Sequence, residues 1–252
     1  MKNILIITIL FVFSFSLRAQ NYLNLYGGYG ITAPKEINKS IETFNYSRPW
    51  LIEKQPLFQK TLTLGLGYTG ILAKGLFISP DFQYNISKSF SENANFNTNI
   101  EMHWWRGNIN LDIYPLEFGL DSVGFRFRPF VRVGGGASAI LPRINFNDSL
   151  ATVNDEDYSP HFWTYQFSGG IGCRIYLNRI IDIMPFIQYN FQPSVKVEDF
   201  NLALHGTNIP ELSNVSKVSN LQFLLSVSFK LGRARELVPE QTETKTRKKK
   251  KK

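Results

Sequence analysis

The sequence predicts an all-β fold: a closed, up-and-down antiparallel transmembrane β-barrel of eight strands. Three observations carry this. Eight stretches alternate apolar and polar residues with a period of two, an export signal stands ahead of them, and the connections between them alternate between short and long. The last stretch, residues 220–231, shows the pattern most plainly. Leu221, Phe223, Leu225, Val227, Phe229 and Leu231 form one face, while Asn220, Gln222, Ser226, Ser228 and Lys230 dominate the other. Successive side chains of a strand point to opposite sides, so this strand has one apolar and one polar face.

Residues 1–19 read as a signal peptide: Lys2 is the positive start, residues 4–15 the apolar centre, and Ala19 the small residue before the cut. An uncleaved anchor is the alternative, but an apolar run of about a dozen residues is short for a bilayer helix, which needs about 20. Cys173 is the only cysteine. It excludes an intramolecular disulfide, and with no cysteine directly behind the signal's apolar centre a lipid anchor is not expected. The formal charge of +8 is not a property of the fold. The signal and the segment after residue 232 carry all of it, and the body between them is neutral. Three units follow: the signal (1–19), a barrel domain (20–232) and a basic tail (233–252).

The first strand, residues 22–31, sets Leu23, Leu25, Tyr29 and Ile31 against Asn24, Tyr26, Gly28 and Gly30. A long polar loop (32–59) leads to the second strand, 61–71, with Leu62, Leu64, Leu66 and Tyr68 on its apolar face. Ala73, Lys74 and Gly75 make a tight turn into the third strand, 76–90, where Asp81 is on the polar face. Pro80 removes a ladder donor there, so a bulge is expected at that point. The fourth strand, 100–114, places Arg106 and Asp112 on the polar face. After a moderate connection the fifth, 125–140, adds Arg126, Arg128 and Arg132 to it. A second long loop (141–160) precedes the sixth strand, 161–177, with Arg174 on the polar face; Asn178 and Arg179 then turn into the seventh, 180–191, which carries Asp182. A third long loop (192–217) returns to the final strand. Long connections thus fall at one end, where only the one after the third strand is shorter than its companions, and short turns, with both termini, at the other.

Alternation alone does not say which face looks inward, because a soluble ligand-binding cup is the inside-out version of a membrane barrel. Three features put the apolar face outside. The polar face carries Asp81, Arg106, Asp112, Arg126, Arg128, Arg132, Arg174, Asp182 and Lys230, charges of mixed sign. It also carries many glycines, as a narrow interior demands. The apolar face has aromatic residues near strand ends (Trp105, Phe127, Trp163, Tyr165, Tyr176, Tyr189, Phe191 and Phe229), which suits girdles at two lipid–water interfaces. Inside a barrel, unpaired arginines would each cost several kcal/mol. The three aspartates are their expected partners, and Arg128 and Arg132 are expected to contact acidic groups in the lumen, Asp112 or Asp182 among them. In hydrocarbon every backbone group must be paired, so the first strand is expected to close on the last.

The pattern over residues 20–232 resembles the small eight-stranded outer-membrane barrels of the OmpA/OmpX-like class. The last strand, ending at Phe229 and Leu231, resembles the assembly signal of such proteins, although many members stop there and this chain continues. The resemblance implies a Gram-negative outer membrane, its lipid as the surrounding partner, and periplasmic termini. Some barrels of this size are enzymes that act on lipid A with a histidine beside a serine or an acid. His103, His161 and His205 show no such arrangement in sequence. Asp155, Glu156 and Asp157 read as a solvated acidic run rather than a cation site, and Gly134, Gly135 and Gly136 lie in a strand, not in a phosphate loop. No catalytic residue, cofactor or metal is expected, and no nucleic acid partner.

Eight strands leave an interior that side chains just fill. A wide diffusion channel is therefore not expected, while a narrow gated path stays open. The expected role is structural or interactive: a plugged barrel with long extracellular loops. An accessory subunit of a secretion or transport machine is the alternative, and a lipid A-modifying enzyme a more distant one. The tail has nothing to bury and is expected to be disordered. Its final run, Arg247, Lys248, Lys249, Lys250, Lys251 and Lys252, is a polycationic anchor whose candidate partners are inner-leaflet phosphates, the cell wall or an acidic envelope protein.

Overall fold

The computed structural model describes residues 21–93, 96–117, 127–146, 149–150, 164–178, 180–207 and 209–231. The signal segment, Arg126, Asp155 to Asp157, His161, Trp163 and the basic tail lie outside the described residues. Eight long strands form the chain: β1 (Asn21–Pro34), β2 (Lys60–Ala73), β3 (Leu76–Asn93), β4 (Phe96–Ile113), β5 (Phe127–Phe146), β6 (Thr164–Tyr176), β7 (Ile181–Lys196) and β8 (Val215–Leu231). Two helices stand between strands, α1 (Lys35–Tyr46) after β1 and α2 (Glu198–His205) after β7. A two-residue return, Ser149–Leu150, folds back on β5.

Every neighbour in sequence pairs antiparallel, and β1 runs against β8 from Asn21 opposite Leu231 to Pro34 opposite Val218 without a slip. That pairing closes the ring. The protein is a closed, eight-stranded, up-and-down antiparallel barrel. Closure removes both sheet edges, so each strand finds its backbone partners within the chain.

The side chains sort as the alternation predicts. Leu23, Leu25, Tyr29 and Ile31 of β1 are exposed on the outer wall, and Asn24 and Tyr26 are buried inside. On β8, Leu221, Phe223, Leu225 and Val227 alternate with the buried Gln222, Leu224, Ser226 and Ser228. A wall this apolar around a polar interior cannot be stable facing water on both sides; it belongs in hydrocarbon. On β3 and β4 the passage from lipid to water is visible along the wall. Phe82, Trp105 and Tyr84 stack with centroids 5.7 and 4.4 Å apart. Above them Tyr84 Oη meets His103 Nδ1 at 2.5 Å, His103 Nε2 meets Glu101 at 3.2 Å, and Lys88 pairs with Glu101 at 2.6 Å.

Four expectations change. No bulge forms at Pro80. Its register with β4 is unbroken, and the β2–β3 ladder keeps one register across it, shifting only near the turn between Ile71 and Ala73. A proline opposite the ladder gap costs no hydrogen bond, so the strand has no reason to bulge. Tyr176 is not part of the outer girdle: it follows Arg174 by two residues, shares its inward face, and packs its ring 4.6 Å from the Arg128 guanidinium. The strands β3, β4 and β5 also run well past the expected ends, β3 and β4 pairing up to Asn93 opposite Phe96. The first and third long connections, finally, are not plain loops but carry α1 and α2.

Both helices follow from spacing. Ile37, Ser40, Ile41 and Phe44 recur at helical intervals and form the buried stripe of α1. In α2, Phe200 and Leu204 are four apart and buried, Glu198 and Asp199 sit in the first turn, and Gly206 ends the helix at φ 72°, where its N–H donates to Leu202 O at 2.8 Å.

Candidate functional site

The interior divides into three storeys, and each is built by residues of opposite chemistry to the next. Uppermost, at the loop end, the helices lie over the mouth. Ile37, Ile41 and Phe44 of α1, Phe200 and Leu204 of α2, and Ile100, Met102, Trp104, Ile144 and Val218 from the strands form one buried apolar cluster. Two asparagines one heptad apart clamp the returning chain beneath α1. Asn38 Nδ2 donates to Phe58 O (3.0 Å) while its Oδ1 accepts from Phe58 N (2.9 Å). Asn45 does the same to Gln55, at 2.9 and 2.8 Å. Each asparagine pairs with backbone as another strand would, which makes the first long connection a folded cap.

One polar link crosses the cap core, between Ser40 Oγ and His205 Nε2 at 3.1 Å. The histidine also faces the Phe44 ring at a centroid distance of 6.4 Å, and the charge of Arg48 acts on it. Burial first, and then Arg48, hold the imidazole below its ordinary value of 6.5. The fold therefore favours neutral His205. Its contribution to stability is intact above 6.5 and is lost as pH falls through the lowered folded value. Amide protection factors in α1 and α2, corrected for intrinsic exchange, are expected to fall as pH drops below 6.5 while those of the strands stay unchanged. His205→Gln should flatten that response.

The middle storey is polar. Gln222 Nε2 reaches Thr63 Oγ1 (2.6 Å) and Asn85 Oδ1 (2.5 Å), while Asn190 Nδ2 donates to Gln222 Oε1 at 2.7 Å. That chain ties β2, β3, β7 and β8 across the lumen. A second network holds Asp81, which accepts from Asn108 (2.7 Å), Asn110 (2.6 Å) and Gln83 (3.3 Å). Gln166 donates to Asn108 Oδ1 and extends it to β6. A third centres on Asp112, clamped by Arg132 Nε at 2.6 Å and Nη2 at 2.8 Å and bonded by Ser79 Oγ at 2.7 Å. Small residues make room for these groups and the rings below. A Cβ on Gly65 would lie 2.2 Å from the Tyr26 ring.

The lowest storey, at the turn end, is aromatic. Tyr22, Phe77, Tyr114, Phe130, Met184, Phe186 and Leu224 pack as a second buried cluster. Arg174 is held within it, fully buried, its guanidinium 4.3 Å from the Tyr22 ring and 5.6 Å from those of Phe77 and Tyr114.

Each described residue of the sequence-derived charge set thus has a place. Asp81, Arg106, Asp112, Arg128, Arg132, Arg174 and Asp182 all face inward, and Lys230 shares that face at the turn end of β8. Arg132 takes Asp112, but Arg128 takes neither Asp112 nor Asp182. It pairs with Glu117 at 2.6 Å, in the 3-10 turn after β4. Glu117 escaped the sequence reading because it lies outside any alternating stretch. Asp182 and Arg174 lie close enough to act on each other without forming an ion pair among the described residues. The described histidines, His103 and His205, stand on different elements, and Ser40 beside His205 is fully buried.

A closed barrel with an apolar outer wall and a polar, hydrogen-bonded interior is the architecture of a small outer-membrane barrel. No protein-family model matches the chain, and no curated protein matches it. Among solved structures it is similar to Neisserial surface protein A, with 9% identity over 84% of this chain and 97% of that one at a TM-score of 0.46. OprG from Pseudomonas aeruginosa shares 14% over 85% and 97%, at 0.43. Ail, the attachment invasion locus protein of Yersinia pestis, shares 6% over 85% and 100%, at 0.41. The fold assignment itself rests on the closure of β1 against β8.

Proposed function

We propose that this protein is a plugged, non-conducting outer-membrane barrel with a structural or interaction role, presenting a folded cap outside the cell and its termini to the periplasm. The observation that carries this reading is the double closure of the lumen: the apolar cluster of the cap above, the aromatic cluster below, and hydrogen bonds spanning the space between. Side chains in a close-packed interior leave no continuous aqueous path. Full-length protein in planar bilayers is expected to give no large, stable conductance. Steady openings in the wild-type protein would sink the proposal. The same reading has no catalytic centre, so lipid A mass should be unchanged on overexpression.

The exposed side chains of the cap support an interaction role. Tyr46, Trp50 and Ile52 are strongly exposed at the end of α1 and in the short segment behind it, the kind of residues that act as anchors in contacts between proteins. The basic tail, Arg247 to Lys252, serves as a periplasmic anchor to acidic partners in this reading: inner-leaflet phosphates, cell wall or an envelope protein. Such attraction is screened within about 8 Å at physiological salt. Truncation after Gly232 is expected to leave the barrel heat-resistant in detergent and to abolish low-salt co-sedimentation with envelope material. Equal sedimentation of the two forms would remove the anchor.

A further inference from the structure

Arg106 occupies the top of the polar storey, where β4 passes beneath the cap. The side chain is 1% exposed, and its guanidinium lies 4.4 Å from the Trp104 ring. Neither Nε nor Nη1 finds a hydrogen-bond partner, and among the described residues Arg106 forms no ion pair. Asp81 is near in register, since Arg106 stands opposite Gln83 and Asn108 opposite Asp81. Its charge acts on Arg106, but its oxygens are bonded by Asn108, Asn110 and Gln83, and no hydrogen bond joins the two.

The neighbours add further donors. Ser138, opposite Arg106 on β5, is fully buried and its Oγ has no partner. Gln192 of β7 accepts from Trp104 Nε1 at 2.9 Å through Oε1, which leaves its Nε2 unbonded. One unbonded acceptor, Gln83 Oε1, lies beside them, and it carries no charge. A cation, a hydroxyl and an amide donor from three strands therefore border one buried place.

We propose that this place is a binding site for a small inorganic anion of the halide class, enclosed between cap and polar belt. Removing a guanidinium from water without a hydrogen-bonded counter-ion costs several kcal/mol, and the charge of Asp81 acts on Arg106 without bonding to it. Water would satisfy the donors but would not neutralise the charge. The fully buried Ile100, Met102 and Trp104 lie on its cap side, and this enclosure favours an ion of halide size over an organic acid. The inference is independent of whether the barrel conducts.

The test uses the full chain folded in detergent, in sodium bromide or chloride against sodium gluconate at equal ionic strength. Halide is expected to raise the melting temperature by several degrees in a saturable way, and crystals grown in bromide should show an anomalous peak beside Arg106. Arg106→Met should lose the halide response. Ser138→Ala, which keeps the charge, should weaken halide affinity about fivefold, the effect of one hydrogen bond. Equal melting in halide and gluconate without a bromide peak, or a full halide response in Arg106→Met, overturns the site.

Discussion

Asp112→Ala is expected to cost the barrel about 3–5 kcal/mol, the largest loss of any single lumen substitution, because it strands the buried Arg132 charge. Asp112 is fully buried and Arg132 nearly so, and the two are joined by a bidentate pair with no water between them. Losing the carboxylate also removes the acceptor of Ser79 Oγ and loosens the chain through Thr69 to Asn24. Urea unfolding of the purified barrel in detergent or lipid measures the effect. The double variant Asp112→Ala/Arg132→Met should recover most of the loss, since it removes the stranded charge along with its partner. An Asp112→Ala barrel within about 1 kcal/mol of wild type would show that Arg132 has another counter-ion.

The second large effect is expected in the cap and should be confined to it. Phe44 is fully buried, stacks on Phe146 at a centroid distance of 6.1 Å, and carries Arg48 over its ring at 3.9 Å. Phe44→Ala should remove about 3–5 kcal/mol of local stability. The cap has no disulfide to hold it, so α1 should become cleavable by protease while the barrel keeps its heat-modifiable shift on gels. Tyr46→Ser, two residues on at an exposed position, should leave protease resistance unchanged. If Phe44→Ala unfolds the whole barrel instead, cap and strands form one cooperative unit.

Most of the barrel was legible in the sequence because it is a local property. Side-chain direction in a strand repeats every two residues, and a one-residue slip would turn an entire apolar face inward. That is why Leu221 to Leu231 could be read without a neighbour, while closure of β1 on β8 followed from the need to pair every backbone group in hydrocarbon. The cap was also written in the chain, as Ile37, Ile41 and Phe44 at helical spacing. The polar residues between them, together with Pro34 and Pro49 on either side, masked a short amphipathic helix as loop.

Partner choice inside the lumen was another matter. Alternation says that Arg128 and Arg132 point inward, but not what they meet there, because facing strands meet through their stagger around the ring. Stagger is set by the whole closed sheet. It brings Arg132 to Asp112 across β4 and β5, whereas the 3-10 turn after β4 carries Glu117 to Arg128. Arg106 shows the same limit from the other side: its residue type and parity announce a buried charge, and only the packed interior shows that among the described residues no carboxylate bonds to it. The sequence by itself thus determined the strands, their faces and the ring. Which charges are paired, which are caged by aromatic rings and which are left without a bonded partner was decided by tertiary structure, because a period of two specifies a direction and carries no information about distance across a barrel.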